Sequence, residues 1–216
     1  GVWHARTVRM TGVGTLAVQY RVLGPLRVLR DGGEVELGGP RQRRLLLRLL
    51  IGGREGVSDD RLVADLLDGD GVRRPEATLR TYVARLRRCL DVPAGGDGTV
   101  VERLPAGYRL RVSADELDAA VFQQRAQRGA PALDRGDAAA ATRALTKALA
   151  VWGGSPYGEV SDEAWAQAEA QRLRHAHVAA RERLADARLI SGHVADAVGD
   201  LRELAVEEPF REGVTQ

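Results

Sequence analysis

Cysteine, lysine and long apolar runs are scarce in this 216-residue chain, and each scarcity excludes something. The single Cys89 cannot close an intrachain disulfide, and no cysteine and histidine cluster has zinc-ligand spacing, so neither a covalent framework nor a structural metal is expected. No apolar stretch approaches the ~20 residues needed to span a bilayer, and residues 1–19 lack the continuous apolar core of a signal peptide. A cytoplasmic protein without membrane contact is the expectation. Lys147 is the only lysine, so the positive charge is almost wholly arginine.

Catalytic arrangements are missing as well. His175 and His177 lie near Glu169, Glu182 and Asp186, but residues two apart on a helix point in different directions and cannot chelate one ion together. A solvated helix face is the simpler reading of both histidines. Asp59-Asp60 offers paired carboxylates without further partners, and Gly12-Val-Gly14 lacks the length and the terminal Lys-Ser/Thr of a phosphate loop. No receiver-domain phospho-acceptor layout is present. The chain reads as a non-enzyme that needs no cofactor and no metal.

What is present is a division of charge. Residues 1–112 hold 20 Lys+Arg against 13 Asp+Glu, while residues 113–216 hold 12 against 17, so the net charge of +2 conceals a basic half and an acidic half. A basic half suits a polyanion such as nucleic acid, and an acidic half would be repelled by it. Residues 1–19 have no convincing period and read as a flexible arm.

Tyr20-Arg-Val-Leu-Gly24 and Leu26-Arg-Val-Leu-Arg30 are β-rich, and Asp31-Gly-Gly33 before Glu34-Val-Glu-Leu37 is a hairpin signal. A helix can begin at Pro40, with Leu45, Leu46, Leu49 and Leu50 on one stripe, Arg41, Arg44 and Arg48 on another, and an end at Gly52-Gly53. Ser58 is a candidate N-cap for a second helix that buries Leu62, Val63, Leu66 and Leu67 and stops before Gly69. A third helix begins near Pro75-Glu76 and runs to Leu90.

That third helix has two chemically distinct faces. Leu79, Val83, Leu86 and Leu90 belong in a core, whereas Thr78, Thr81, Arg85 and Arg88 share another face, flanked by Arg80 and Arg87. Residues 73–90 contain six arginines and one acid, Glu76, a density that points to nucleic acid. The guanidinium fork pairs with guanine O6 and N7 or with phosphate oxygens, and threonine can contact a thymine methyl. Spacing does not separate base readers from phosphate clamps. After a Gly-rich connection at residues 95–98, Thr99-Val-Val-Glu-Arg-Leu104 and Tyr108-Arg-Leu-Arg-Val112 alternate around Pro105-Ala-Gly107 as a β-hairpin, the wing of a winged helix.

From Ser113 onward strand signals vanish, and Asp115-Glu-Leu-Asp-Ala-Ala-Val-Phe122 opens an Ala- and Leu-rich helical region. Aligning Gly136 with Gly192 also aligns Ala141 with Ala197 and Leu145 with Leu201, the mark of stacked helical hairpins related to tetratricopeptide (TPR-like) repeats. Trp152-Gly-Gly-Ser-Pro-Tyr-Gly158 reads as a loop, and a long helix follows from Asp162-Glu-Ala-Trp165 to Ile190.

Taken together, Leu23-Gly-Pro-Leu26, Pro40-Arg-Gln-Arg-Arg-Leu-Leu-Leu47, Thr78-Leu-Arg-Thr-Tyr-Val-Ala-Arg-Leu-Arg-Arg88 and Gly107-Tyr-Arg-Leu110 resemble the OmpR-type DNA-binding domain. More closely, residues 20–216 resemble the Streptomyces antibiotic regulatory proteins (SARP), which add a bacterial transcriptional activator domain. The resemblance implies an α+β winged helix with a leading four-stranded antiparallel sheet over residues 20–112, followed by an all-α TPR-like domain over residues 113–216. It also implies an activator that binds direct repeats in double-stranded promoter DNA, as a homodimer on those repeats. Such an activator recruits RNA polymerase holoenzyme through residues 68–74 and controls antibiotic biosynthesis genes from the nucleoid. Thr78, Arg80, Thr81, Arg85, Arg87, Arg88, Arg103 and Arg44 become the candidate DNA contacts. Two positions depart from the pattern: Ala64-Asp-Leu-Leu67 stands where a tryptophan is usual, and Leu104 holds the place of the usual wing arginine, with Arg103 one residue earlier. Arg103 is therefore open to reading as a minor-groove contact or as a solvated hairpin cation. Because Glu207-Glu-Pro-Phe-Arg-Glu212 is followed by further helices in the family, the helical domain reads as truncated, a fragment of a longer regulator. The competing expectation is a helical protein-protein adaptor whose N-terminal domain touches DNA only weakly.

Overall fold

The computed structural model describes residues 18–67, 73–91 and 99–207. Strands β1 (Val18–Arg21), β2 (Arg27–Arg30) and β3 (Gly33–Glu34) form an antiparallel sheet in the order β1-β2-β3. The β2–β3 turn is Asp31 (φ 51) and Gly32 (φ 82), the two left-handed residues that a two-residue hairpin matching strand twist requires. Val18 and Gln19 pair with Arg30 and Leu29, so the strand starts inside the stretch expected to be a flexible arm. The rest of that arm lies outside the described residues. Among the described residues this sheet has three strands, where the resemblance implied four. The third is short, although the Val35 N–H still donates to the Val28 carbonyl at 2.8 Å.

Helix α1 (Pro40–Gly52) starts with proline at its first position and ends where Gly53, at φ 53, donates its N–H to the carbonyls of Leu49 and Leu50. Strand β4 (Val57–Ser58) leads directly into α2 (Asp59–Leu67), and Ser58 Oγ accepts from the Arg61 N–H at 3.3 Å, the expected cap. Helix α3 (Pro75–Leu90) buries Leu79, Val83, Leu86 and Leu90 against α1 and α2. Strands β5 (Val101–Leu104) and β6 (Gly107–Leu110) form the wing hairpin, and β6 also pairs with β4, giving a second sheet in the order β4-β6-β5. A Cβ on Gly107 would stand 1.9 Å from the Val57 carbonyl oxygen, so the Gly-Tyr-Arg-Leu motif needs glycine for β4 and β6 to meet.

The remainder is helical: α4 (Asp118–Asp134), α5 (Ala138–Leu149), a 3-10 turn (Gly158–Val160), α6 (Ala164–Ile190) and α7 (Val194–Glu207). Gly136 (φ 76) and Gly192 (φ 80) make the turns of the two helical hairpins, so the aligned glycines do the same conformational task. Ala141 and Ala197 are both fully buried. The third matched pair diverges: Leu145 is buried, whereas Leu201 is 41% exposed, because α6 covers α5 and no described helix covers that face of α7. His177 also departs from expectation. It stacks on Trp152 with centroids 4.0 Å apart and planes 16° from parallel, and Phe122 meets the same indole edge-on at 5.1 Å. The i+2 offset that sends His175 to solvent turns His177 inward.

Backbone-directed contacts join the two parts. The Asp118 carboxylate accepts the N–H groups of Val22 and Leu23 at 3.0–3.1 Å, and burial pushes this carboxyl up while those N–H bonds pull it back down. Tyr157 and Gly153 donate their N–H groups to the Val22 and Leu23 carbonyls, each at 2.7 Å. Glu159 accepts from the Leu26 N–H and from Arg43, and the Arg43 guanidinium holds the Glu159 carboxyl below the usual range. The segment read only as a loop therefore extends the pairing of the N-terminal sheet.

Candidate nucleic-acid interface

At ~100° per residue, Thr78, Thr81, Arg85 and Arg88 fall within an arc of about 80° on α3, apart from the buried leucine and valine stripe. Thr81, Arg85 and Arg88 are exposed and Thr78 is half-buried. Arg80 is exposed on the far flank. Among the described residues, no hydrogen bond or ion pair holds the guanidinium of Arg80, Arg85 or Arg88. The Thr81 hydroxyl donates to the Ala77 carbonyl at 3.0 Å, which fixes its rotamer and leaves its oxygen lone pairs available.

The other three candidate arginines are committed to the protein. Arg87 donates through Nε and Nη2 to the Val101 carbonyl at 2.9 and 2.7 Å, clamping β5 to α3. Arg103 pairs with Asp59 through two 2.7 Å bonds and lies over the Tyr108 ring at 4.6 Å. Arg44 donates to the Asp65 carbonyl at 3.3 Å and pairs with Glu163 at 2.7 Å, facing the helical half.

Two arginines that were not candidates contact α3. Arg41 is exposed at the start of α1 and donates to the Tyr82 hydroxyl of α3 at 2.8 Å. Arg30 donates to the carbonyls of Cys89 and Leu90, placing positive charge at the C-terminal end of α3, where the helix dipole favours it. The α1 stripe of Arg41, Arg44 and Arg48 was readable. Which of the three sides with α3 depends on Tyr82, Glu163 and Asp65, which periodicity cannot align. The six-arginine segment thus places three unpaired cations on exposed α3 surface and uses a fourth to fix the wing. Residues 68–72, within the stretch expected to touch polymerase, and the connection at 95–98 lie outside the described residues.

Residues 117–216 match the bacterial transcriptional activator domain. The chain is 29% identical over 199 residues to the transcriptional regulatory protein MoaR1 of Mycobacterium tuberculosis, covering 92% of this chain and 64% of that one. It is 34% identical over 199 residues to the regulatory protein AfsR of Streptomyces coelicolor, covering 91% of this chain and 19% of that one. The solved structure of Mycobacterium tuberculosis EmbR, in complex with a low-affinity phosphopeptide, superposes with a TM-score of 0.83 at 30% identity, over 91% of this chain and 52% of that chain. The chain thus spans just under two thirds of MoaR1 and about half of EmbR. A winged helix with a leading antiparallel sheet, followed by helical hairpins over the segment that matches the activator domain, makes this chain similar to transcriptional regulators of the Streptomyces antibiotic regulatory protein type.

Proposed function

We propose that the chain is a sequence-specific DNA-binding transcriptional activator, with a reading domain over residues 20–112 and an activator domain over residues 113–216. The observation that carries this reading is the exposed set Arg80, Arg85 and Arg88 on α3, without partners among the described residues, with Thr81 and Thr78 beside it and the wing clamped to the same helix by Arg87. Unpaired guanidinium groups on a rigid helix can meet guanine edges and phosphates without first breaking an internal ion pair. In the finer form of the proposal, the protein binds direct repeats in promoter DNA, two copies side by side. It recruits RNA polymerase through the segment around residues 68–74 and controls antibiotic biosynthesis genes in the cytoplasm.

The test is equilibrium binding to a duplex that the protein itself selects from a random library. Arg85→Ala is expected to cost about 1–3 kcal/mol and to relax preference at one base pair. Unchanged affinity and unchanged preference would remove α3 from the interface. A helical adaptor is the second reading, favoured by the exposed apolar side chains Ile190, Val194, Val198 and Leu201 around the α6–α7 turn. Binding that falls steeply with salt and prefers one duplex sequence supports the activator, and salt-insensitive binding without duplex preference supports the adaptor.

A further inference from the structure

The wing contains a guanidinium whose hydrogen-bonding fork is already filled. Arg103 lies on β5, directly paired with Tyr108 of β6 and just before the exposed turn residues Pro105 and Ala106. Both of its terminal nitrogens donate to Asp59, one to each carboxylate oxygen, and the guanidinium rests on the Tyr108 ring. Asp59 opens α2, where a helix N-terminus favours an anion, and its own N–H donates to the Ala106 carbonyl at 2.8 Å. Carboxylate and wing turn are therefore fixed to each other. Arg103 is also only two residues, ~7 Å of strand, from the point where Arg87 clamps β5 to α3. The pair remains accessible, with the Arg103 and Asp59 side chains 49% and 31% exposed.

A guanidinium fork binds a carboxylate and a phosphate with the same two-bond geometry, so the two anions compete for it. An arginine neutralised by an internal carboxylate releases no counterion from DNA and does not enter the salt dependence of binding. Arg85 and Arg88 have no such competitor among the described residues.

We propose that Asp59 withholds Arg103 from DNA, so that this one carboxylate sets how many phosphates the wing contacts. The proposal rests on the reading that α3 and the wing face a duplex, and the experiment separates the two. Affinity for the selected duplex is measured across a salt series for the parent protein, D59N, R103Q and D59N/R103Q. The slope of log K against log salt should steepen by ~0.9 in D59N, the value of one added phosphate contact, and return to the parent slope in D59N/R103Q. R103Q alone should leave the slope unchanged. D59N should bind more tightly at low salt, and between ~50 and ~200 mM salt its affinity should fall about threefold further than that of the parent. If the pair only staples the wing to α2, D59N binds more weakly with no steeper slope, and the proposal is overturned. A slope that R103Q alone reduces by ~0.9 overturns it too, because Arg103 would already be on phosphate in the parent. A parent protein that selects and binds no duplex overturns the DNA reading itself.

Discussion

In α1 and α3 the buried positions are filled by long aliphatic side chains, with Leu45, Leu46, Leu49, Leu79 and Leu86 all at 2% exposure or less. In α4 to α7 they are mostly alanine: Ala141, Ala148, Ala166, Ala170, Ala185, Ala187 and Ala197 are each fully buried. Leucine layers hold helices apart at a distance set by side-chain volume. Alanine and glycine let helix backbones come close, so contact depends on the absence of atoms rather than on their bulk. The N-terminal half should therefore be damaged by removing atoms, and the helical half by adding them.

The largest expected effect is in the leucine layer. Leu86 is fully buried on the face of α3 opposite the unpaired arginines, so Leu86→Ala removes three carbons where α1 and α2 cannot fully collapse. A loss of about 3–4 kcal/mol in urea denaturation is expected. A loss below about 1 kcal/mol would mean that the core closes over the gap, and the contrast between the halves would fail on its first side.

On the other side, Gly129 of α4 faces Leu145 of α5, and a Cβ there would stand 2.6 Å from Leu145 Cγ. Alanine normally gains about 1 kcal/mol over glycine inside a helix, but overpacking costs about 1–3 kcal/mol, so Gly129→Ala should be destabilising by about 1 kcal/mol. Gly199 of α7 has nothing within 4 Å of its would-be Cβ, so Gly199→Ala should be stabilising by about 1 kcal/mol. Opposite signs for one substitution in two helices of one half, read by thermal or urea unfolding, are the sharp form of the claim. Two stabilising results would show that α4 and α5 can part without loss.

The same contrast explains what was legible in the amino-acid sequence. The N-terminal helices have punctuation with local causes, Pro40, Gly53, Ser58 and Pro75, and an amphipathic period, so their limits and the core face of α3 follow from residues within a turn or two. The helical repeat was legible through Gly136 and Gly192, whose left-handed turns are again local. The state of each arginine was not. Arg103 meets a carboxylate 44 residues away and Arg87 a carbonyl 14 residues away, and a periodic pattern gives a side chain's direction without naming what it meets. Nor did alternation reveal that Asp118 and Glu159 cap the backbone of the first sheet, because the N–H groups they receive, those of Val22, Leu23 and Leu26, carry no side-chain signature.

A further expected effect is confined to the helical half and depends on pH. Burial, with a further push from Arg181, lowers the His177 imidazole from 6.5 to about 4, so the stacked ring is neutral in the folded protein at neutral pH. Unfolded, the same imidazole titrates at its ordinary value. Between about pH 6.5 and 4 the unfolded chain therefore binds a proton that the folded chain does not, and stability falls as pH is lowered through that window. His177→Phe keeps an aromatic ring against Trp152 and removes the proton site, so its melting temperature should fall less between pH 7 and pH 5 than that of the parent. Trp152 and Trp165 both lie in the helical half, and their fluorescence follows its unfolding directly. An equal decrease in His177→Phe and in the parent would place the proton-sensitive group elsewhere and leave the alanine-packed half no more sensitive to acid than the leucine-packed one.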